Sequence, residues 1–132
     1  MRRLAVDVRP GEYAVARLEP DAPVPAGLLE VTEPVLVSVT RTPGELSVIC
    51  PVELAPEDAE VEDGWRLLTV RGPLEFTLTG IIAALASELA AAGVALFSLS
   101  TFDTDHILVR ADELARAIRA LRESGHEVAE ES

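Results

Sequence analysis

Lysine is absent from this sequence of 132 residues, and all eleven of its basic residues are arginines. Without a lysine amine, the chain cannot carry out Schiff-base catalysis. Cysteine is nearly absent as well: Cys50 is the single one, so no disulfide can form within the chain. A lone cysteine at the end of an apolar run (LSVIC) is typical of an unreactive core thiol in a reducing compartment.

Positive charge and long apolar runs are also scarce. The net charge is −12, and a division after Glu60 leaves −6 on each part, so no basic stripe of the kind that marks nucleic-acid-binding proteins is present. The most apolar stretch, residues 81–92, contains Ser87 and Glu88 and is shorter than the roughly 20 residues that span a bilayer. The first residues include Asp7 and lack the apolar core of a signal peptide. We therefore expect a cytoplasmic protein that binds neither nucleic acid nor a membrane.

The second half of the chain alternates between strand and helix patterns. The segments WRLLTV, VALFSLS, DHILV and HEV predict strands. A first helix is predicted from Thr77 to Gly93, and a second from an N-cap at Asp112 to Gly125. The first has apolar residues at helical spacing: Leu78, Ile81, Ile82, Leu85 and Leu89. The resulting order, βαββαβ, is that of a ferredoxin-like unit.

The first half is less regular, but part of its residue pattern is similar to that of the second half. Strands are predicted for EYAVARL, VLVSVT and LSVIC, with a helical turn in AGLLEV and another after Pro56. A shift of 60 positions places residues 35–49 on residues 95–109, with Thr40 on Ser100 and Glu45 on Asp105. Both segments then show two strands joined by a turn of equal length. In both, a hydroxyl residue precedes the turn and a carboxylate residue follows it. This pattern indicates an internal duplication, with modules at residues 1–60 and 61–132, the first of them degenerate.

The polar segment STFDTD between two predicted strands has several interpretations. Asp103 and Asp105 could share a metal ion, but Mg²⁺ and Ca²⁺ need more oxygen ligands, and the EF-hand spacing is missing. They could form a general acid–base pair, although the sequence shows no cleft, no nucleophile elbow and no zinc-protease motif. Asp103 is better explained as a turn residue, whereas Asp105, at a strand start beside apolar neighbours, is favoured as a functional residue. Of the histidines, His106 is expected on the strand face opposite Asp105, and His126 at the surface or a sheet edge. No assembled catalytic set and no metal site is predicted.

A second candidate segment, RGPLEFTLTG, precedes the first long helix. A helix N-terminus with the hydroxyls of Thr77 and Thr79, and with Gly80 allowing close approach, would suit a small carboxylate. The pattern matches neither of the glycine-rich nucleotide motifs. The alternative is an ordinary helix start with Thr77 as N-cap. That alternative leaves Gly80 inside the helix, where it costs about 1 kcal/mol relative to alanine.

Residues 72–109, GPLEFTLTGIIAALASELAAAGVALFSLSTFDTDHILV, resemble the ACT domains of amino-acid sensors. The resemblance is to the CASTOR-like branch, which carries the signature STF-x-TDH/Y-x-LV. It implies an α+β fold of two tandem ACT-like, ferredoxin-like modules, with antiparallel sheets covered by helices on one face. Exposed sheet edges in such a fold predict a homodimer.

The resemblance also implies a function: non-catalytic regulation by an amino acid or similar small molecule, held at an interface between ACT modules without a cofactor. Asp105 matches the family's acidic position, whereas Leu78 replaces an acidic residue of arginine-sensing relatives, so arginine is not assumed. Two alternatives stay open: a ligand-free structural or oligomerisation module that acts through an unidentified protein partner, and a small enzyme that uses Asp103 and Asp105. The implied ligand-binding residues are Leu74, Glu75, Thr77, Thr79 and Gly80 in the loop, Ser100, Thr101, Phe102 and Asp105 in the turn, and Thr40 and Thr42 in the related turn of the first module.

Overall fold

The computed structural model describes residues 3–72 and 80–130 and shows a mixed α+β fold. The chain divides into two compact units. The helical unit comprises Met1–Gly11 and Arg66–Ser132, and the strand unit comprises Glu12–Trp65. The division into modules at residue 60 stays a prediction. The described elements are β1 (Ala5–Val8), β2 (Tyr13–Leu18), β3 (Ser38–Arg41), β4 (Leu46–Pro51), β5 (Glu60–Val70), α1 (Ile81–Ala91), β6 (Leu96–Ser100), β7 (Asp105–Arg110), α2 (Leu114–Glu123) and β8 (Glu127–Glu130).

The helical unit has the predicted βαββαβ order, formed by β5, α1, β6, β7, α2 and β8. Its sheet has one strand more than predicted, because β1 lies between β5 and β8. Strand β7 lies between β5 and β6. Val6 of β1 is opposite Val70 in the antiparallel pair with β5 and opposite Val128 in the pair with β8. The pair of β1 and β8 is parallel, whereas β1 pairs with β5, and β6 pairs with β7, in the antiparallel direction.

One apolar cluster fills the helical unit. The predicted stripe of α1 is confirmed where the structure describes it, since Leu85 and Leu89 are fully buried and Ile81 is 8% exposed. Burial of a leucine side chain contributes roughly 1.5–3 kcal/mol, so these residues hold α1 on the sheet. The cluster also contains Val6, Val8, Leu68, Ile107 and Val109 from the strands and Ala117, Ile118 and Leu121 from α2.

Both helices begin differently from the prediction. α1 begins at Ile81, and its N-cap is Gly80 with a left-handed φ of 79°, so the expected start at Thr77 was wrong. Gly80 therefore lies outside the helix, where its freedom to adopt positive φ is used. α2 follows a short 3₁₀ helix, Ala111–Glu113, which contains Asp112; its N-cap is Glu113. No helix in the described part of the chain is long and apolar enough to cross a lipid bilayer.

The strand unit is an antiparallel sheet in the order β3, β4, β2 and the first part of β5. The predicted strands are confirmed, as is the turn in AGLLEV, a 3₁₀ helix at Leu28–Glu30. The second turn lies at Val52–Leu54, before Pro56 rather than after it. The core of this unit includes Cys50, which is fully buried. Burial, with a smaller contribution from Glu53, raises the pKa of the Cys50 thiol to about 11, which agrees with an unreactive core residue.

Candidate functional site

The signature segment forms a closed turn between β6 and β7. The backbone N–H of Thr101 donates to the carbonyl oxygen of Thr104 at 2.8 Å, and Thr101 Oγ1 donates to the same oxygen at 3.1 Å. Phe102, with 78% of its surface exposed, and the exposed Asp103 lie at the tip of this turn. Thr101 therefore fixes the shape of the turn.

Asp105 begins β7 directly opposite Ser100, the last residue of β6. Ser100 Oγ donates a hydrogen bond of 2.5 Å to Asp105 Oδ1, and Asp105 is half-buried. An ionised carboxylate has about four lone-pair sites, so one hydroxyl leaves most of its accepting capacity unused. The serine thus orients an acidic group that can still bind a cation.

Thr104 connects the turn to a neighbouring strand. Its Oγ1 donates to the carbonyl oxygen of Val70 at 2.5 Å, and Val70 is the last residue of β5. The predicted binding loop begins at Leu74, shortly after this strand end. The bond therefore fixes the turn beside the point from which that segment departs.

His106 completes a polar network on the same hairpin. Its Nδ1 lies 3.0 Å from Thr69 Oγ1 on β5, and its Nε2 lies 3.3 Å from Thr101 Oγ1. Burial lowers the pKa of His106; Asp105 acts in the opposite direction, and Arg9 lowers it further. The neutral imidazole can accept a hydrogen bond with one nitrogen and donate with the other, so it connects the two threonines.

The structure brings part of the predicted site together. Ser100, Thr101, Phe102 and Asp105 share one turn in the helical unit, and Gly80 lies at the start of α1 in the same unit. Thr40 and Thr42 belong to the β3–β4 hairpin of the strand unit. The remaining predicted residues, Leu74, Glu75, Thr77 and Thr79, lie outside the described residues. As a set, the ligand-binding residues stay a prediction.

The two hairpins share their turn length, as predicted, but not the predicted register. Thr42 N–H donates to the carbonyl of Glu45 at 2.9 Å, matching the bond from Thr101 to Thr104. The flanking pairs are Arg41 with Leu46 and Ser100 with Asp105, so equivalent positions are 59 residues apart rather than 60. The buried Leu46, not Glu45, is therefore the counterpart of Asp105, and the acidic group has no equivalent in the first hairpin.

Sequence reasoning missed the roles of Thr69, Thr104 and His106. Strand alternation correctly predicts that His106 and Asp105 lie on opposite faces of β7, and this was the one signal for a separate role of His106. Thr69 gave no signal, because the pairing of β5 with β7 joins segments far apart in the chain.

A model of the ACT domain family matches residues 60–123, and a model of an N-terminal domain family matches residues 11–58. The match to residues 60–123 agrees with the ferredoxin-like strand and helix order of the helical unit. The chain contains an ACT domain, which the family model matches over residues 60–123.

The chain is similar in sequence to an arginine sensor and in fold to several solved structures. The human cytosolic arginine sensor for mTORC1 subunit 1 is 41% identical over 59 residues, which are 44% of this chain and 18% of the sensor. The chain thus matches less than a fifth of that relative. A crystal structure of a protein from Agrobacterium tumefaciens is 35% identical and covers 100% of this chain and 96% of its own, with a TM-score of 0.90. The regulatory subunit of aspartate kinase from Thermus thermophilus, 12% identical, covers 94% of this chain and 99% of its own with a TM-score of 0.66, and shows the shared fold.

Proposed function

We propose that this protein is a non-catalytic cytoplasmic regulator that binds a free amino acid or a similar small molecule. The ligand lies between the turn at residues 100–105 and the loop at residues 74–80. The observation that carries the proposal is the Asp105 carboxylate, held by Ser100 at the start of β7 in a turn anchored to the end of β5. The similarity to an arginine sensor and to a regulatory subunit of aspartate kinase supports a regulatory role.

The two ends of an amino acid match two features of the helical unit. The half-buried carboxylate of Asp105 suits an ammonium group, because a charge-assisted hydrogen bond is about twice as strong as a neutral one. The N-terminus of α1, which begins at Ile81, suits a carboxylate, since its first backbone amides lack partners within the helix. A zwitterion therefore complements both.

A thermal-shift screen against the twenty amino acids tests this proposal. A ligand at one hundred times its Kd stabilises the folded state by about 2.7 kcal/mol. For a chain of this size we expect a rise in Tm of roughly 10 °C. Arginine is not favoured over the other amino acids, because Leu78 stands where the resemblance implies an acidic residue in arginine sensors. A flat response to the whole panel would favour a ligand-free module that acts through a protein partner.

Two matched substitutions in one turn test the site itself. We expect Asp105→Asn to weaken binding by at least tenfold, because the charge is lost while the amide oxygen still accepts from Ser100. Asp103→Asn removes the same charge at the exposed tip of the turn and serves as the control, with unchanged affinity expected. Isothermal titration calorimetry with the amino acid from the screen measures both. An equal effect of the two substitutions would contradict the site.

We also infer that the protein acts as a homodimer. Among the described strands, β6 pairs with β7 alone, and Phe97 on β6 is 42% exposed. An exposed strand edge with an aromatic side chain is suited to self-association across a two-fold axis. Sedimentation velocity with and without the ligand would show a dimer; a monomer in both states would contradict the inference.

A further inference from the structure

A groove in the strand unit is separate from the turn described above. It has a volume of about 400 Å³ and lies between residues 31–35 and residues 51–54. We call it the acidic groove. Its lining consists of Val31, Glu33, Val35, Pro51, Glu53 and Leu54.

Both walls of the acidic groove are fixed to the start of β2. The backbone N–H of Leu36, next to one wall, donates to Tyr13 Oη at 3.1 Å. The N–H of Val52, in the other wall, donates to the carbonyl of Glu12 at 2.9 Å. Because Tyr13 is buried, these bonds hold the walls at a set separation. The groove is therefore formed in advance and needs little ordering to accept a partner.

The surface of the acidic groove combines apolar side chains with carboxylates. Val35 and Leu54 are each 38% exposed, and Val31 and Pro51 extend the apolar lining. Glu33 and Glu53 are exposed on its two walls. Apolar side chains next to a charged rim are typical of a protein–protein contact.

The charge of the whole strand unit has the same sign as that rim. Twelve acidic residues and two arginines lie within Glu12–Trp65, a net charge of −10, whereas the helical unit carries −2. Both arginines make other contacts. Arg17 lies 4.0 Å from Glu60, and Arg41 donates to the carbonyls of Pro20 and Ala22. Equal charges on the sequence halves conceal this asymmetry, which appears only when the chain is divided by its fold.

We propose that the acidic groove binds a basic, apolar peptide segment of a partner protein. Apolar side chains of that segment lie on Val35 and Leu54, and lysine or arginine residues face Glu33 and Glu53. The negative field extends over the whole unit, so it attracts a segment with several positive charges rather than a small cation. A second copy of this chain would bring another strand unit of charge −10 against the first, which disfavours self-association at this surface.

Selection from a random peptide library of 16 residues, displayed on phage, tests the proposal. The immobilised full-length protein is compared with two charge variants, each of which raises the net charge by 2. Glu33→Gln with Glu53→Gln alters the groove. Glu57→Gln with Asp58→Asn, in the same unit but outside the groove, is the matched control. A third variant, Leu54→Ser, removes apolar surface without a change of charge.

We expect the recovered peptides to combine apolar residues with lysine and arginine. A labelled peptide from the selection should bind the groove charge variant about fivefold more weakly, and Leu54→Ser more weakly still, with the control close to wild type. All substituted side chains are exposed, so circular dichroism should show intact folds. Peptides without basic residues, or an equal loss of affinity in both charge variants, would overturn the proposal. Self-association that Leu54→Ser abolishes would do the same, because a second copy would then be the occupant.

Discussion

His126 Nε2 lies 2.7 Å from Glu88 Oε1, and the two side chains are 0% and 9% exposed. The other ring nitrogen, Nδ1, accepts the backbone N–H of Leu4 at 3.1 Å. The ring proton must therefore be on Nε2, which donates to Glu88. His126 thus joins α1 to the start of β1. The expected surface position was wrong, because only 4% of His126 is exposed, but the residue does directly precede β8, which ends the described strand order.

Two substitutions of Glu88 should separate its hydrogen bond from its charge. Within the described residues, Glu88 Oε2 has no hydrogen-bond partner. Glu88→Gln keeps an oxygen that accepts from His126 and removes a buried charge, so we expect a change within about 1 kcal/mol or a gain in stability. Glu88→Ala leaves the His126 N–H without a partner and should cost about 1–3 kcal/mol. Urea unfolding measures both, and equal losses would show that the hydrogen bond contributes nothing.

Gly80 offers a test of the helix start. Its φ of 79° is left-handed, and among the described residues other than its chain neighbours no atom lies within 4 Å of the position that a Cβ would occupy. Gly80→Ala should therefore cost about 1–2 kcal/mol from backbone strain alone. Gly44→Ala is the control: its φ is outside the positive range, and a Cβ there would meet Thr42 Oγ1 at an ordinary 3.9 Å. Thermal unfolding with equal losses for both would argue against the left-handed N-cap.

Local patterns in the sequence were sufficient to predict both hairpins. Each consists of two short apolar strands on either side of a four-residue turn that begins with threonine, Thr42 in one and Thr101 in the other. All contacts that define such a turn lie within five residues, so the sequence contains them directly. The predicted offset of 60 residues between the two hairpins was wrong by one residue, because it aligned residue types rather than strand pairs.

Strand β1 was missed for the opposite reason. Leu4, Val6 and Val8 alternate with less buried residues, a signal that was present but short. It pairs with residues 68–70, in the middle of the chain, and with residues 127–130, close to the other end. No local pattern contains such pairing.

The candidate site was predictable only in its hairpin part. Ser100 and Asp105 are five residues apart and face each other across one turn. The bond from Thr104 to Val70 joins residues 34 apart and depends on the contact between β5 and β7. Neither the turn sequence nor the sequence of β5 alone indicates that Thr104 contacts the end of β5.

Thr104→Val tests that long-range bond. Valine has almost the same shape as threonine but cannot donate to the Val70 carbonyl, so we expect a loss of about 1 kcal/mol in the free energy of unfolding. Thr40→Val, an equally isosteric change at an exposed position of β3, should leave stability unchanged or slightly raised. Chemical denaturation measures both. Matching effects would show that the Thr104 hydroxyl does not stabilise the turn.

The pH dependence of stability should report on His106. Burial lowers its pKa in the folded state below the ordinary value of 6.5. Between these two pKa values the unfolded chain binds more protons than the folded chain, so stability falls as the pH drops through about 6.5. The slope from one group cannot exceed about 1.4 kcal/mol per pH unit.

His106→Gln removes this titration and keeps an amide that can bond to Thr69 or Thr101. The stability of the wild type relative to the variant should therefore be greatest near pH 7.5 and decrease toward pH 5. Asp105 and Arg9, the charged groups that act on His106, are present in both proteins, as are the other carboxylates, so their own titration largely cancels in the difference. Urea unfolding at intervals of half a pH unit measures it. A difference that stays constant, or grows toward acid, would mean that the folded protein binds the proton as readily as the unfolded chain does. The Thr69–His106–Thr101 network would then persist with a charged ring, with His106 donating from both nitrogens to the threonine oxygens.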